Sequence, residues 1–474
     1  MLVLLAAAWA CYALRREIIA RFFVDGVAGD APAFVGDQGQ GMPPAERLRV
    51  VLLDGLSREH AGRLDALSSA CASGTDLVVD VGFPTVSLPV QHVLWTGLTQ
   101  QQSGVQYRIP RLDPPPANAL PVRVPNSVAV SESHRDIVHS FGFARVEPAL
   151  GREEIEDAGS TWRASEFIDT AVAAVTSEAS LVFVHVLRID EAGHAHGGSS
   201  TEYAQAAIDA DAMLARLIAA DPSPGRTRWF VLADHGHRED GGHGDAEPEI
   251  RLVRGCIFGD AGAAVPAGTT VHLVDFHRAI AESLGLAPTE GARGRTLARA
   301  AEDRLGDTAL PRPSSLDFAV AALLAFAGVV AAQPLLGRYA WISIAWPITS
   351  WLGVELVHGT VTLSNPVVYP PLGMGVVLAA SCGLAMLLGG RLAIAKKVEP
   401  RRAVAGLMLP VFATWLATAW MCGVPTALFG GPPPLMPSIT AQCSVLATVL
   451  AAAFAVLAVV QLVLPGRSRG EGTA

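Results

Sequence analysis

Lysine is nearly missing from this chain of 474 residues: only Lys396 and Lys397 occur, and arginine supplies every other positive charge. That bias reads as genome composition rather than function. Positive charge is short overall, with 35 Lys and Arg against 44 Asp and Glu. The balance argues against nucleic acid as a partner, because phosphate backbones are held by clustered Lys and Arg. Cysteine is too sparse, at six residues, for a disulfide framework. Cys11, Cys382, Cys422 and Cys443 fall in apolar runs. Cys71 and Cys256 remain; they can pair in an oxidising compartment or stay buried as free thiols. No positively charged stretch precedes the apolar Met1–Leu14, and no small-residue cleavage site follows it, so a signal peptide fits poorly. Extended through Ile18, Ile19, Phe22 and Phe23, residues 1–23 read as an amino-terminal membrane anchor that carries Arg15 and Arg16.

What is abundant is apolar: 51% of the residues are hydrophobic, and they are unevenly spread. Up to Ser315 there are 40 acidic and 27 basic residues; beyond it there are 4 and 8. An acidic globular part is therefore joined to an apolar part with a few positive charges. Five apolar runs follow a linker at Asp303–Ser315: Phe318–Leu336, Tyr339–Val357, Leu372–Leu388, Ala403–Cys422 and Ala441–Leu464. Each has about the length of a bilayer span, roughly 20 residues. They predict a five-helix transmembrane domain over 316–465. Arg391, Lys396, Lys397, Arg401 and Arg402 share one loop, and Arg467 and Arg469 lie in the tail, whereas loops 358–371 and 423–440 hold no Lys or Arg. Positive loops stay inside. The expectation is an integral protein of the cell or inner membrane, its carboxy terminus cytoplasmic and its globular domain extracytoplasmic. Arg15 and Arg16 fall on the opposite side of that scheme.

After a Gly/Pro-rich linker over 26–46, the segment 46–300 has the rhythm of an α/β domain. Strands are expected at Leu48–Leu53, Leu77–Val81, Leu181–Leu187 and Trp229–Leu232, and helices at Trp162–Val175 and Thr201–Ala219. Strands separated by helices and ending in polar residues predict a mostly parallel sheet sandwiched by helices. Pro110–Pro125 reads as a surface excursion.

Four motifs stand at predicted strand ends. Asp54 closes the first strand. Thr85 follows Phe83-Pro84 and precedes Val-Ser-Leu-Pro. Asp190 and His194 form Asp-x-x-x-His, and Asp234-His235-Gly236 is followed by His243. Open α/β sheets keep their sites at the carboxyl ends of strands. Asp and neutral His together make a mixed oxygen/nitrogen donor set suited to zinc or manganese. Two cations about 4 Å apart clamp the attacking and leaving oxygens of a displacement at phosphorus.

The ordered set resembles the alkaline phosphatase superfamily over roughly Val50–Leu297, most closely its phosphodiesterase and phosphotransferase branch. The Phe-Pro-Thr-Val-Ser-Leu-Pro stretch, with Thr96-Gly97 further on, is especially like the nucleophile segment of nucleotide pyrophosphatase/phosphodiesterases. The resemblance implies two divalent ions, zinc or alternatively manganese. Asp190, His194 and His243 would hold one; Asp54, Asp234, His235 and the Thr85 oxygen would hold the other, with Thr85 as catalytic nucleophile. Ser87 is the rival nucleophile. Gln91 stands where the sulfatase signature needs arginine, which disfavours formylglycine chemistry, and Val90 replaces the asparagine of the nucleotide phosphodiesterases, which argues against nucleotide substrates. His185 reads as a core or second-layer histidine, and His196 and His237 as second-layer or solvent-facing.

An anchored extracytoplasmic domain followed by several spans is similar to the ethanolamine phosphate transferases of glycolipid-anchor synthesis. The resemblance therefore implies a lipid or lipid-linked glycan phosphoester as substrate, and transfer of a phospho-head-group through phospho-threonine. Hydrolysis by the same site is the alternative, and a catalytically silent membrane scaffold a second. All seven ligand positions hold competent residues, which favours an enzyme.

Overall fold

The structure, a computed structural model, describes residues 41–103, 112–133, 135–147, 164–244, 247–260, 265–287, 291–302 and 315–336, with Trp9 and Val105. The chain divides into two compact units, one of Gly26–Thr308 with Thr362–Ser364, the other of the remaining residues.

An eight-stranded sheet organises the first unit. In chain order its strands are β1 (Arg47–Leu53), β2 (Thr75–Asp80), β3 (Ser127–Ser131), β4 (Arg145–Glu147), β5 (Leu181–Val186), β6 (Thr227–Leu232), β7 (Leu252–Gly259) and β8 (Thr269–His272). Their spatial order is β4-β3-β5-β1-β6-β7-β2-β8. Only β7 runs against its neighbours, so the expected parallel sheet is present with one reversed strand. β1 sits near the middle and every residue of its Arg-Leu-Arg-Val-Val-Leu-Leu sequence is buried, as a strand covered on both faces requires.

The helices of the described residues that matter here are α1 (Asp65–Ala72), α2 (Ser87–Thr96), α3 (Ala164–Thr176), α4 (Arg188–His196), α5 (Thr201–Ala219), α6 (Leu273–Ser283) and α7 (Ser315–Leu336). α5 packs on α1, α3 and α4, and α6 packs on α2. Register fixes the two faces. Arg49 pairs with Val182 and reaches α3, whereas Phe183, on the other side of β5, meets Trp95 of α2 with ring centroids 5.1 Å apart. α5 forms because Ser200 caps its first turn at Tyr203 N–H, and Tyr203, Ala207, Ala210, Leu214 and Leu217 recur on one buried face. Arg49 ties β1 to the end of α3: its guanidinium donates to the Val175, Ser177 and Ala179 carbonyls, which a helix terminus leaves without partners. Burial, with Arg47 nearby, lowers its pKa to about 10, so it keeps its charge at neutral pH.

Cys71 of α1 and Cys256 of β7 form a disulfide, which resolves the two readings of that pair. The Pro110–Pro125 stretch is not wholly superficial, since Ala119, Leu120 and Pro121 are buried. Among the described residues no helix is long and apolar enough to cross a membrane. The first of the five apolar runs is nevertheless helical within α7, which carries Pro334 near its end. The other four runs, and all of the expected anchor over 1–23 except Trp9, lie outside the described residues.

Candidate active site

Because β1, β2, β5 and β6 are parallel, their carboxyl ends share one edge, and the loop from β6 returns to that edge before entering β7. Asp54 directly follows β1, Asp190 lies in the first turn of α4 after β5, and Asp234 and His235 follow β6. Two glycines let these segments converge. Gly55 has φ +76°, and a Cβ there would lie 2.7 Å from Asp190 Cα. At Gly193 a Cβ would stand 2.6 Å from the His237 ring.

The residues form two adjoining clusters. In the first, Asp190 Oδ1 is 3.5 Å from both His194 Nε2 and His243 Nε2, and the two histidine nitrogens are 3.1 Å apart. In the second, His235 Nε2 is 3.4 Å from Asp54 Oδ1 and 3.5 Å from Asp234 Oδ2. The His235 and His243 rings stack with centroids 3.6 Å apart, which joins the clusters. His194 is the member open to solvent.

These donors fit divalent ions. Two donors each about 2.0–2.1 Å from one zinc ion stand about 3.3–3.4 Å apart in a tetrahedral set, close to the spacings in both clusters. The histidine tautomers agree. His243 Nδ1–H donates to the Thr85 carbonyl at 2.8 Å, and His235 Nδ1–H to the Gly236 carbonyl at 3.2 Å. Each ring then turns an Nε2 lone pair into its cluster, as a metal-binding imidazole must. Burial, with His235 close by, holds the His243 pKa well below its usual value, so the ring is neutral. Asp234 Oδ2 is buried without a hydrogen-bond partner. Burial, and then the charge of Asp190, raise the Asp234 pKa against the pull of His235. Burial also opposes ionisation of Asp190, but His194, His237 and His243 outweigh it and hold that carboxyl well below the usual range.

Thr85 sits at the mouth of α2, fully buried, in an antiparallel bridge with Gly244. Its Oγ1 accepts from Gly244 N–H at 3.0 Å, and its N–H donates to the Gly244 carbonyl at 3.3 Å. Ser87, half-buried at the start of α2, places its hydroxyl 3.3 Å from His235 Nε2. Two histidines back the aspartates: His185 Nε2 is 2.7 Å from Asp54 Oδ2, and His237 Nε2 is 2.8 Å from Asp190 Oδ1. His185, read as a core residue or a support behind the ligands, is buried and meets Asp54; His237, read as such a support or as solvent-facing, is buried and meets Asp190. His196, two residues after His194, is exposed.

Residues 121–240 match the family Type I phosphodiesterase / nucleotide pyrophosphatase. This agrees with the branch that the four motifs resemble. The matched stretch carries Asp190, His194, Asp234 and His235; Asp54, Thr85 and His243 lie outside it and join the same edge through the fold. No curated protein matches the chain in sequence. Among solved structures, murine ectonucleotide pyrophosphatase/phosphodiesterase 5 is 14% identical, covering 51% of this chain and 96% of that one with a TM-score of 0.41. A 2-O GAG sulfatase is 12% identical over 54% of this chain and 74% of its own, with a TM-score of 0.41. An alkaline phosphatase superfamily protein from Vibrio parahaemolyticus is 12% identical over 61% and 79%, with a TM-score of 0.39. At these identities and scores the structural likenesses carry no substrate or activity over to this chain.

Proposed function

We propose that the chain is a membrane-bound, metal-dependent phosphotransferase that moves a phospho-head-group from a lipid or lipid-linked glycan phosphoester through a phospho-threonine on Thr85. The observation that carries the reading is the pair of Asp/His clusters, each with donor spacings near 3.4 Å, at one sheet edge beside the start of α2. Asp190, His194 and His243 would hold one divalent ion, and Asp54, Asp234 and His235 the other, with the Thr85 oxygen adjoining them. Two such ions supply positive charge to the phosphoryl oxygens and lower the pKa of the attacking hydroxyl. Thr85 Oγ1 accepts from Gly244 N–H, so its own proton is directed elsewhere and is the one lost on attack. The Oγ1–P bond forms as phosphorus parts from the donor oxygen, which leaves with a proton. An acceptor hydroxyl then attacks phosphorus and returns Thr85 to its starting form. The N–H groups of Ser87 and Leu88 at the amino end of α2 favour the phosphoryl oxygens. An acceptor held better than water makes the outcome transfer rather than hydrolysis.

The extracytoplasmic location is supported by the Cys71–Cys256 disulfide, since such bonds persist in oxidising compartments. Membrane attachment is supported by the hydropathy of the carboxy-terminal runs. The test incubates detergent-solubilised full chain with phosphatidylethanolamine and an alcohol acceptor, and maps the modified peptide by mass. The expected result is a head-group phosphate on Thr85, product formed only with acceptor, loss of both in Thr85→Ala and retention in Ser87→Ala. Modification of Ser87 with a live Thr85→Ala enzyme reverses the nucleophile, and release to water alone makes the enzyme a hydrolase.

A further inference from the structure

His237 differs from the two histidines that adjoin it. Its Nδ1 accepts from Gly242 N–H at 3.2 Å, the reverse of the arrangement at His235 and His243. A neutral imidazole that accepts at Nδ1 carries its proton at Nε2. That Nε2–H points at Asp190 Oδ1, 2.8 Å away. The ring packs closely on its neighbours. It lies against Gly193, where even a Cβ would stand 2.6 Å from Cγ, Cδ2 and Nε2, and Tyr203 packs 5.8 Å away at 68°. The turn that delivers Gly242 is itself closed, by Arg238 N–H to the Gly242 carbonyl and Gly241 N–H to the Arg238 carbonyl.

We infer that His237 is a positioning residue for the first metal cluster, not a ligand: it donates to Asp190 and holds that carboxylate toward His194 and His243. The inference rests on the two-ion reading above. The usual outer-layer arrangement, a carboxylate steering a ligating histidine, is inverted here, with a histidine steering a ligating carboxylate. To ligate through Nε2, the ring would need its proton at Nδ1, where it would face Gly242 N–H. The Asp234-His235-Gly236-His237 run thus delivers both a donor for the second cluster and the support for the first.

The test separates a hydrogen-bond donor from a ligand. Purified full chain in detergent is stripped of metal and titrated with cobalt(II), then zinc against a chelating indicator, while melting curves report the fold. Glutamine can place an amide N–H near the Nε2 position but replaces a good ligand with a poor one. His237→Ala is expected to weaken the first site about 10–100-fold, and His237→Gln to restore it to within about threefold, with the cobalt spectrum of wild type. Unchanged affinity in His237→Ala overturns the inference. A His237→Gln protein that melts like wild type yet loses the site as fully as His237→Ala makes His237 a ligand and overturns it too. Wild-type chain that takes up no cobalt overturns the underlying two-ion reading instead.

Discussion

At Gly55 the backbone turns sharply enough for Asp54, at the end of β1, and Asp190, at the start of α4, to approach one edge together. Its φ of +76° and the 2.7 Å gap to Asp190 Cα leave no room for a side chain. Gly55→Ala is therefore expected to cost about 1–3 kcal/mol of stability through backbone strain and displaced neighbours, read as a lower unfolding midpoint. An unchanged midpoint with unchanged metal uptake would remove this contact from the account. The chemistry of the aspartates and histidines was legible as residue types in an order: Asp54, Thr85, Asp190/His194 and Asp234/His235/His243. The role of His237 was not, because nothing in Asp-His-Gly-His tells one histidine tautomer from another. That distinction comes from Gly242 N–H, five residues on, and from a ring seated on Gly193 of a different segment.

Among the elements, β1, β5, β6 and α5 were legible because their apolar patterns are long and regular. β7 was not: Arg254 and Gly255 interrupt its apolar run, and its reversed direction depends on a loop that first serves the site. In β1 the apolar run up to Leu53 was legible, but the service of its buried Arg49 to the end of α3 was not. α2 and α6 meet around two buried histidines, His92 and His277. Burial lowers each pKa to about 4; at His277, a hydrogen bond to the Leu94 carbonyl pulls the other way. In the unfolded chain these rings take up a proton near pH 6.5, whereas in the fold they stay neutral until about pH 4. The unfolded state thus binds more protons across that window, and stability falls as pH falls through it. Each ring removes about 2 kcal/mol between pH 7 and pH 5. Urea unfolding at those two pH values should show the loss, with a shallower dependence in His277→Gln. An equal dependence in that variant would exclude His277 as a source.

At the scale of the whole molecule, the proposal above puts the sheet-bearing unit outside the membrane and the basic tail inside. Its test is sidedness. Tags at Ala474 and in loop 391–402 should be protected from external protease in sealed cells, and one near Arg58 should be cut. Protection of the Arg58 tag would put the catalytic unit on the wrong side for a lipid acceptor at the outer surface. The proposed function depends most directly on the metals, because it rests on the spacing of six side chains drawn from residues 54 to 243. The deciding measurement is the divalent-metal content of purified full-length chain by elemental mass spectrometry, beside Asp234→Asn and His194→Ala proteins of matched melting behaviour. Two ions per wild-type chain and one in each variant is the predicted result. A folded wild-type chain that retains none after equilibration with zinc, or variants that both keep two, would contradict it.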